Sequence, residues 1–338
     1  MTGIVADWNF PNPGPTVAFR FDLDALPIQE SAADSHRPAR EGFASSNPGV
    51  MHACGHDAHS AVGMALAQWA PHLNSNSGTL RLIFQPAEEG CRGAQSLVSR
   101  GIFEEVDYLV GGHIGCAARE IGLVVCGCRG FLATTKFDVI LEGVAAHAGA
   151  TPQKGRNALL AAAAMAVQLH AIPRHGDGDT RINVGTLHAG AGRNIIADRA
   201  VLEVEVRGTT SALNDYMMGE ARRIIDSIAT MYGVTATVQV VGAAGGATSD
   251  AGLKEIVREA AVQLPETREV VDSVDAQGSE DMTFMMDAVQ AHGGQATYLL
   301  VGTQLAAGHH NPSFDFDESC LWHLAQLYAA IASTLLNP

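Results

Sequence analysis

The sequence predicts an α/β protein of two domains, the smaller inserted into the larger. Three observations predict this fold class. The chain has 338 residues, which is more than a single hydrophobic core usually organises. Strands and helices alternate towards both ends of the chain. Between them the order becomes β-α-β-β-α-β, which is typical of a ferredoxin-like unit. We therefore predict a discontinuous domain of residues 1–132 and 247–338, with a second domain of residues 133–246 inserted into it.

Hydrophobic periodicity predicts the elements of both domains. In the first domain, apolar and polar side chains alternate, or apolar runs occur, in predicted strands at 16–24, 78–86, 108–112 and 296–302. Its predicted helices are 57–70, 93–100, 251–263, 281–291 and 318–335. The inserted domain has predicted strands at 134–143, 181–190, 199–208 and 235–242, and predicted helices at 157–170 and 211–232. Open α/β sheets bind ligands beyond the carboxyl ends of their strands, so residues that follow these strands are candidate site residues.

Charge and composition exclude several classes of function. The formal net charge is −15, from 36 acidic and 21 basic residues, so no basic stripe is available to neutralise nucleic-acid phosphates. The first fifteen residues lack the pattern of a signal peptide, and no stretch has 18 uninterrupted apolar residues. Six scattered cysteines favour reduced thiols over a disulfide framework. We expect a cytoplasmic protein that binds neither nucleic acid nor membranes.

Side chains of metal-ligand type stand at several places where a predicted strand or helix begins or ends. They are Cys54, His56, Glu88, Glu89, His113, His309 and His310. Each taken alone is more often a structural or solvated residue. Taken together, thiolate, imidazole and carboxylate suit Zn, Mn, Co or Ni better than Mg or Ca. The pattern therefore predicts a transition-metal site.

Glu88 and Glu89 follow a predicted strand that ends at Pro86. Adjacent side chains after a strand point in different directions, so one can bind metal while the other transfers protons. A nearby cation would also relieve the repulsion between the two carboxylates. The alternative is a pair of solvated glutamates at the start of the next helix.

Five motifs together carry a family resemblance over nearly the whole chain. They are Arg20–Pro27, His52–His59, Phe84–Gly90, Gly143–Pro152 around His147, and His310–Pro312. In these motifs the chain resembles the metal-dependent aminoacylase and carboxypeptidase superfamily, in the amidohydrolase branch that includes indole-acetyl-amino-acid hydrolases. The resemblance implies a metallopeptidase-like catalytic domain with a mixed sheet, and an inserted lid and dimerisation domain.

The resemblance also implies roles for the candidate residues of the first domain. The ligands of two divalent cations, Mn or Zn with Co and Ni as alternatives, would be Cys54, His56, Glu89, His113 and His310. Glu88 matches the general base, which takes a proton from the attacking water and passes it to the leaving amine. His309 is the alternative to His310. Asp22, Asp24, Asp57 and His59 would support the ligands or cap a helix.

Three residues of the inserted domain match positions with a role in the superfamily, and a fourth candidate stands next to one of them. His147 matches a histidine that helps to hold the oxyanion in the active site of a partner subunit; a loop-capping role is the alternative. Asn194 and Arg207 match lid positions that contact substrate, and an arginine fork suits a substrate carboxylate. Arg193 could add to that pocket or be solvated. The expected assembly is a homodimer, or a heterodimer with a homologous subunit.

The expected reaction is cleavage of the amide between an acyl or aroyl group and an amino acid, with p-aminobenzoyl-glutamate as the favoured substrate. An N-acyl-amino-acid or dipeptide hydrolase is the first alternative, and a non-catalytic partner subunit is the second. The chain departs from the superfamily at Gly115 and Ala197, where proline is usual nearby. It also has less sequence before Arg20, from which we expect a shortened N-terminus.

Overall fold

The computed structural model describes residues 2–276 and 278–337, which group into two compact units. The first unit comprises Met1–Gly130, Ala247–Ala276 and Asp281–Pro338, and the second comprises Phe131–Gly246 and Gln277–Glu280. Among the described residues, no helix combines the length and the apolar composition that a membrane span requires.

The first unit is built on a mixed seven-stranded sheet. Its strands are β1 (Ile4–Asn9), β2 (Asn12–Asp22), β3 (Ser77–Gln85), β4 (Tyr108–Ile114), β5 (Leu123–Val125), β11 (Glu269–Val271) and β13 (Gln295–Val301). They lie in the order β1-β3-β2-β4-β13-β5-β11. The four central strands β3, β2, β4 and β13 are parallel, whereas β1 runs antiparallel to β3 and β5 antiparallel to β13. Two short strands, β6 (Cys128–Arg129) and β12 (Val274–Asp275), form a separate parallel pair.

Helices complete the first unit. They are α1 (Arg37–Glu41), α2 (His56–Trp69), α3 (Gly93–Val98), α6 (Ala251–Val262), α7 (Met282–Ala291) and α8 (Ser319–Leu335), with a 3-10 turn at Ala70–His72. The core lies between β2 and the helices α2 and α8, where Phe19 and Phe21 contact Tyr328 at ring-centroid distances of 5.0 and 5.9 Å. Because β2, β3 and β4 are parallel, their carboxyl ends meet at one edge of the sheet.

The second unit is a four-stranded antiparallel sheet with two helices. It contains β7 (Ala133–Glu142), α4 (Ala158–Leu169), β8 (Thr180–Ala189), β9 (Arg199–Gly208), α5 (Ser211–Tyr232) and β10 (Thr235–Ala244), with a 3-10 turn at Pro152–Lys154. The strand order is β10-β7-β9-β8. Numbered within the unit, this order is 4-1-3-2, which is the ferredoxin-like arrangement. Side chains of β7 and β9 form one buried cluster with α4 and α5. The predicted fold class is confirmed.

The sequence prediction missed the first strand. In β1 all six side chains are exposed, although Ile4, Val5 and Trp8 are apolar. A strand that covers no core lacks the buried-exposed alternation by which strands are recognised. Its backbone pairing with β3, 70 to 80 residues away in the chain, decides its conformation.

Candidate metal centre

Three loops and one turn of the first unit meet beyond the carboxyl ends of β2, β3 and β4. The loop after β2 pairs with the loop before α2 through two hydrogen bonds between the backbones of Leu26 and Met51, of 2.9 and 3.1 Å. The N–H of His310 donates to the carbonyl of Ala53 at 2.7 Å, which holds the histidine turn against the same loop. The N–H of Glu89 donates to Asp24 Oδ2 at 3.1 Å. Hydrogen bonds between the loops thus bring the predicted ligand segments together.

The first group of ligand atoms surrounds Cys54 and Glu89. One ligand atom each from Cys54, His56 and Glu89 lies within 4.8 Å of the others. His310 Nε2 is 3.3 Å from Glu89 Oε2, and the Cys54 side chain raises the pKa of the His310 ring. The backbone of His310 has φ of +63°, an uncommon value for a residue other than glycine, which places its side chain over Glu89.

A second group shares Cys54 with the first. Ligand atoms of Cys54, His113 and His309 also lie within 4.8 Å of one another. His113 Nε2 is 3.4 Å from Cys54 Sγ. The structure therefore brings together all five predicted metal ligands, and it adds His309, which the resemblance did not select.

The histidine rings are oriented as metal ligands usually are. His113 Nδ1 donates to the carbonyl of Ile114 at 2.7 Å, so Nε2 is left facing Cys54. His56 Nδ1 donates to the carbonyl of Asp24 at 3.1 Å. Nε2 of His56 is buried and has no hydrogen-bond partner among the described residues, and the same holds for Glu89 Oε1. Metal-bound histidines typically donate their other N–H to a carbonyl, so this donor set fits a divalent cation.

The electrostatics of the cluster point in the same direction. Burial opposes ionisation of Cys54, but the charge of His113 and hydrogen bonds from the histidines lower the pKa of its thiol to about 3. Burial and the Cys54 thiolate raise the pKa of Glu89 to about 7. Burial disfavours protonation of His56, but the charge of Asp22 and a hydrogen bond to Asp24 raise its pKa to about 11. The negative charges of the acidic groups are stabilised by nearby positive charge, which divalent cations can supply.

Glu88 lies beside this cluster. Its Oε2 is 3.9 Å from His56 Nε2, and its side chain is 13% exposed. A carboxylate oxygen of Glu88 also lies within 4.8 Å of one of Asp281. Both carboxylates therefore lie near His56, but Glu89 also lies near Cys54 and His310, whereas Glu88 lies near Asp281.

A network of buried hydrogen bonds lies next to the candidate ligands. Arg20, whose side chain is fully buried, donates to Asp22 Oδ2 and to Gln85 Oε1, both at 2.7 Å. His59 Nδ1 donates to Asp22 Oδ1 at 2.5 Å, and His59 Nε2 accepts the N–H of Ile114 at 3.1 Å. His59 is thereby held in one orientation, next to the candidate ligand His113, at a ring-centroid distance of 4.6 Å. Burial keeps the pKa of His59 below its usual range, which is consistent with a neutral ring.

Asp281, at the N-terminus of α7, belongs to the same hydrogen-bond network. Its Oδ1 accepts from Gln85 at 2.7 Å and faces Arg20 at 3.5 Å, while Oδ2 accepts the N–H groups of Gly93 and Ala94, both at 3.0 Å. Asp281 therefore ties the end of the loop that carries Glu88 to the sheet. Sequence reasoning predicted no individual role for Arg20 or Gln85. The available signal was an arginine within an otherwise apolar strand.

The structure places the other predicted site residues in the second unit. The 147–149 loop pairs with 194–196, because Ala148 N–H donates to the carbonyl of Asn194 at 3.0 Å. His147 Nδ1 accepts the N–H groups of Gly149 and Ala150, both at 3.1 Å, so the ring proton resides on Nε2. Arg193 is exposed in the same segment. Arg207, on β9, pairs through Nε with Glu205 at 2.6 Å.

Comparison with known proteins decides the family. The model for peptidase family M20/M25/M40 matches residues 18–334. The chain belongs to this family. Its M20 relatives include an indole-3-acetyl-aspartic acid hydrolase from Enterobacter agglomerans, which is 49% identical over 99% of this chain and 77% of its own length. One of the subunits of the p-aminobenzoyl-glutamate hydrolase of Escherichia coli is 48% identical over the same shares of the two chains.

Solved M20 structures share the fold. An aminobenzoyl-glutamate utilization protein from Klebsiella pneumoniae superimposes with a TM-score of 0.81 and 39% identity, covering 98% of this chain and 74% of its own. A dinuclear metal-binding M20 peptidase from Bacillus subtilis gives a TM-score of 0.71 at 26% identity, over 99% of this chain and 85% of its own. The M20 chain described here is a metal-dependent hydrolase of amide bonds, with candidate sites for divalent cations.

Proposed function

We propose that the protein hydrolyses the amide bond between an aromatic acyl group and an acidic amino acid, with p-aminobenzoyl-glutamate as the favoured substrate. The observation that carries the proposal is the convergence of the two ligand groups on Cys54, with Glu88 beside them. The two relatives at 48–49% identity are named for amides of glutamate and aspartate, each with an aromatic acyl group. An amide of an acidic amino acid is the chemistry that these names share.

Two divalent cations, Mn or Zn, would be held by Cys54, His56, Glu89, His113 and His310. When bound, they polarise the scissile carbonyl and increase the acidity of water. Glu88 takes the proton from the attacking water and delivers it to the leaving amine nitrogen. In the active site of a partner subunit, His147 would offer the N–H at Nε2 to the developing oxyanion.

The substrate carboxylates need cationic or amide donors. Arg207 and Asn194 are the proposed partners, with Arg193 as a further candidate. Two hydrogen bonds to Glu205 restrict the rotamers of Arg207 on β9. Its guanidinium is therefore positioned before a substrate binds. The planar guanidinium fork is suited to a carboxylate, which it can bind through two N–H groups.

We further propose that residues 133–246 are an inserted lid and dimerisation domain, between the parts 1–132 and 247–338 of a catalytic domain. The partner would be a second copy or a homologous subunit, since one relative is itself a hydrolase subunit. All six cysteines are free thiols, in keeping with a cytoplasmic location.

The test is a substrate panel assayed with the purified chain after loading with Mn or Zn. The panel contains p-aminobenzoyl-glutamate, p-aminobenzoyl-alanine, indole-3-acetyl-aspartate and N-acetyl-glutamate. We expect the highest kcat/KM for an aromatic acyl group on an acidic amino acid, and a loss of at least about tenfold when the acidic side chain is replaced by methyl, because a carboxylate contact is removed.

Other outcomes would select the alternatives. Equal rates for N-acetyl and aromatic acyl substrates would indicate a general N-acyl-amino-acid hydrolase. Metal binding without turnover, followed by turnover on addition of a homologous subunit, would indicate that the chain acts only with that partner.

A further inference from the structure

The sheet of the second unit has one face covered by helices and one face that they leave open. Ile182 of β8 and Val206 of β9 pack into the cluster that contains α4 and α5. Successive side chains of a strand point to opposite faces, so the neighbouring Arg181 and Arg207 lie on the open face. Their side chains are 56% and 35% exposed. Both guanidinium groups are therefore accessible to a ligand.

Arg181 and Arg207 are directly opposite each other on antiparallel strands. The Cβ atoms of such a pair are about 5 Å apart, and two like charges in this position destabilise the sheet. An anion bound beside the pair would offset this repulsion.

A third arginine lies close to this pair. Arg174 Nη1 and Arg181 Nη1 donate to the same acceptor, the carbonyl of Thr180 at the start of β8, at 3.3 and 2.9 Å. Within the described parts of the chain, Arg174 forms no ion pair. The end of the sheet where β8 begins and β9 finishes thus carries three neighbouring guanidinium groups, which we call the arginine cluster.

The carboxylates near the arginine cluster neutralise it only in part. Glu205 accepts from Arg207 Nε at 2.6 Å. Asp179 Oδ2 is 3.5 Å from Arg181 Nη2, but its side chain is 75% exposed, and exposed pairs of this kind contribute little. The protein as a whole has a formal charge of −15, so the cluster is an exception to its overall charge. Such a patch favours an anionic ligand, and planar guanidinium groups are suited to carboxylates.

We propose that Arg181, with Arg174 beside it, binds the side-chain carboxylate of the acidic amino acid in the substrate, next to Arg207. The inference rests on the proposed function and extends it by naming the residue that distinguishes an acidic amino acid from a neutral one. In amide linkage, glutamate and aspartate each keep two carboxylates. Arginines on adjacent strands provide one guanidinium fork for each of them.

The experiment compares p-aminobenzoyl-glutamate with p-aminobenzoyl-alanine in the metal-loaded wild-type protein and in Arg181→Gln. On the glutamate substrate we expect kcat/KM to fall by at least about tenfold, chiefly through KM, because charge-assisted hydrogen bonds to the substrate are lost. On the alanine substrate, which has no side-chain carboxylate, kcat/KM should change by less than about twofold. Equal losses on the two substrates would overturn the proposal, because a structural role would explain them.

Two further variants separate a local contact from a general effect of charge. Arg181→Lys keeps the charge without the planar fork, so its loss on the glutamate substrate should be smaller than that of Arg181→Gln. Arg199→Gln is the control, because Arg199 is exposed on the same face at the other end of β9. It should act on both substrates like the wild type. A selective loss on the glutamate substrate in Arg199→Gln as large as that in Arg181→Gln would contradict the proposal.

Failure of the proposed function is distinguishable from failure of this inference. If the wild-type protein cleaves the glutamate and alanine substrates equally well, the proposed preference for an acidic amino acid is wrong. If the wild type prefers glutamate and Arg181→Gln keeps the same preference, the proposed function stands and Arg181 is not the residue that recognises the side chain.

Discussion

Glu88 and Glu89 are neighbours in the sequence, yet each has its own environment. The backbone N–H of Glu89 donates to the Asp24 carboxylate, and the Glu89 carboxylate lies beside the His310 ring. Glu88 lies beside His56 Nε2, at 3.9 Å, and near Asp281. A carboxylate that is close to the candidate ligands but outside the two groups around Cys54 is suited to proton transfer.

We expect Glu88→Gln to keep its bound metal and to lose turnover by a factor of about 10² to 10⁴, because the amide cannot accept the proton of the attacking water. Metal content by elemental analysis and kcat on p-aminobenzoyl-glutamate would be measured on the same samples. Glu259→Gln, at an exposed position of α6, is the control and should be fully active. Substantial activity in Glu88→Gln would remove Glu88 from the role of base.

At the scale of elements, the N-terminus of α7 is tied to three other segments by one carboxylate. Asp281 contacts Gln85 at the end of β3, Arg20 in β2 and the first backbone N–H groups of α3. Each of its oxygens therefore accepts hydrogen bonds from buried donors. This arrangement holds the loop that carries Glu88 in place.

Asp281→Asn should lower the free energy of unfolding by about 3–5 kcal/mol, because Arg20 would keep a buried charge with one fewer counter-charge. The measurement is urea denaturation. Asp7→Asn breaks a partly exposed pair with Arg81, and there we expect a loss of less than about 1 kcal/mol. Equal losses in the two variants would show that burial of the Arg20 network contributes nothing extra.

Gly63 and Gly219 are glycines within helices, and only one of them faces the core. A Cβ at Gly63 in α2 would lie 2.7 Å from the Phe84 ring and 2.8 Å from the Phe21 ring. A Cβ at Gly219 in α5 would meet no atom within 4 Å. The same substitution should therefore have opposite effects in the two helices.

We expect Gly63→Ala to destabilise the protein by about 1–3 kcal/mol through overpacking. Gly219→Ala should stabilise it by about 0.5–1 kcal/mol, because alanine loses less conformational freedom in a helix. Thermal unfolding of both variants would measure the two changes. A stabilising Gly63→Ala would mean that α2 can move away from the sheet without cost.

At the scale of the whole molecule, acid stability depends on histidines that are buried in neutral form. His323 of α8 is 3% exposed, and its Nε2 lies 2.9 Å from Thr267 Oγ1. Burial lowers the pKa of His323 from 6.5. Since the unfolded chain binds the proton more readily, the contribution of His323 to stability is complete above about pH 6.5 and is lost as the pH falls towards the pKa in the folded state.

His323→Gln should therefore show a smaller loss of stability between pH 7 and pH 5 than the wild type, although it is less stable at pH 7 because its packing is altered. Urea denaturation at a series of pH values would give both slopes. His188→Gln, at an exposed site, should leave the wild-type slope unchanged. A wild-type slope in His323→Gln would exclude this histidine as a source of acid sensitivity.

The sequence by itself determined the elements whose side chains alternate between core and solvent, the order β-α-β-β-α-β, and the segments that contain Cys54, Glu89, His113 and His310. Local rules suffice for these features because periodicity and strand ends are properties of short stretches. The strand β1 was missed because it buries no side chain.

Only the tertiary structure decided which of these atoms meet. Arg20 and Asp281 are 261 residues apart in the chain, and no local pattern relates them. His309 packs against Phe314 and His113, whereas His310 is half-exposed beside Glu89, although the two are adjacent in the sequence. Contacts of this kind depend on the packing of distant segments, which the sequence specifies only through the complete fold.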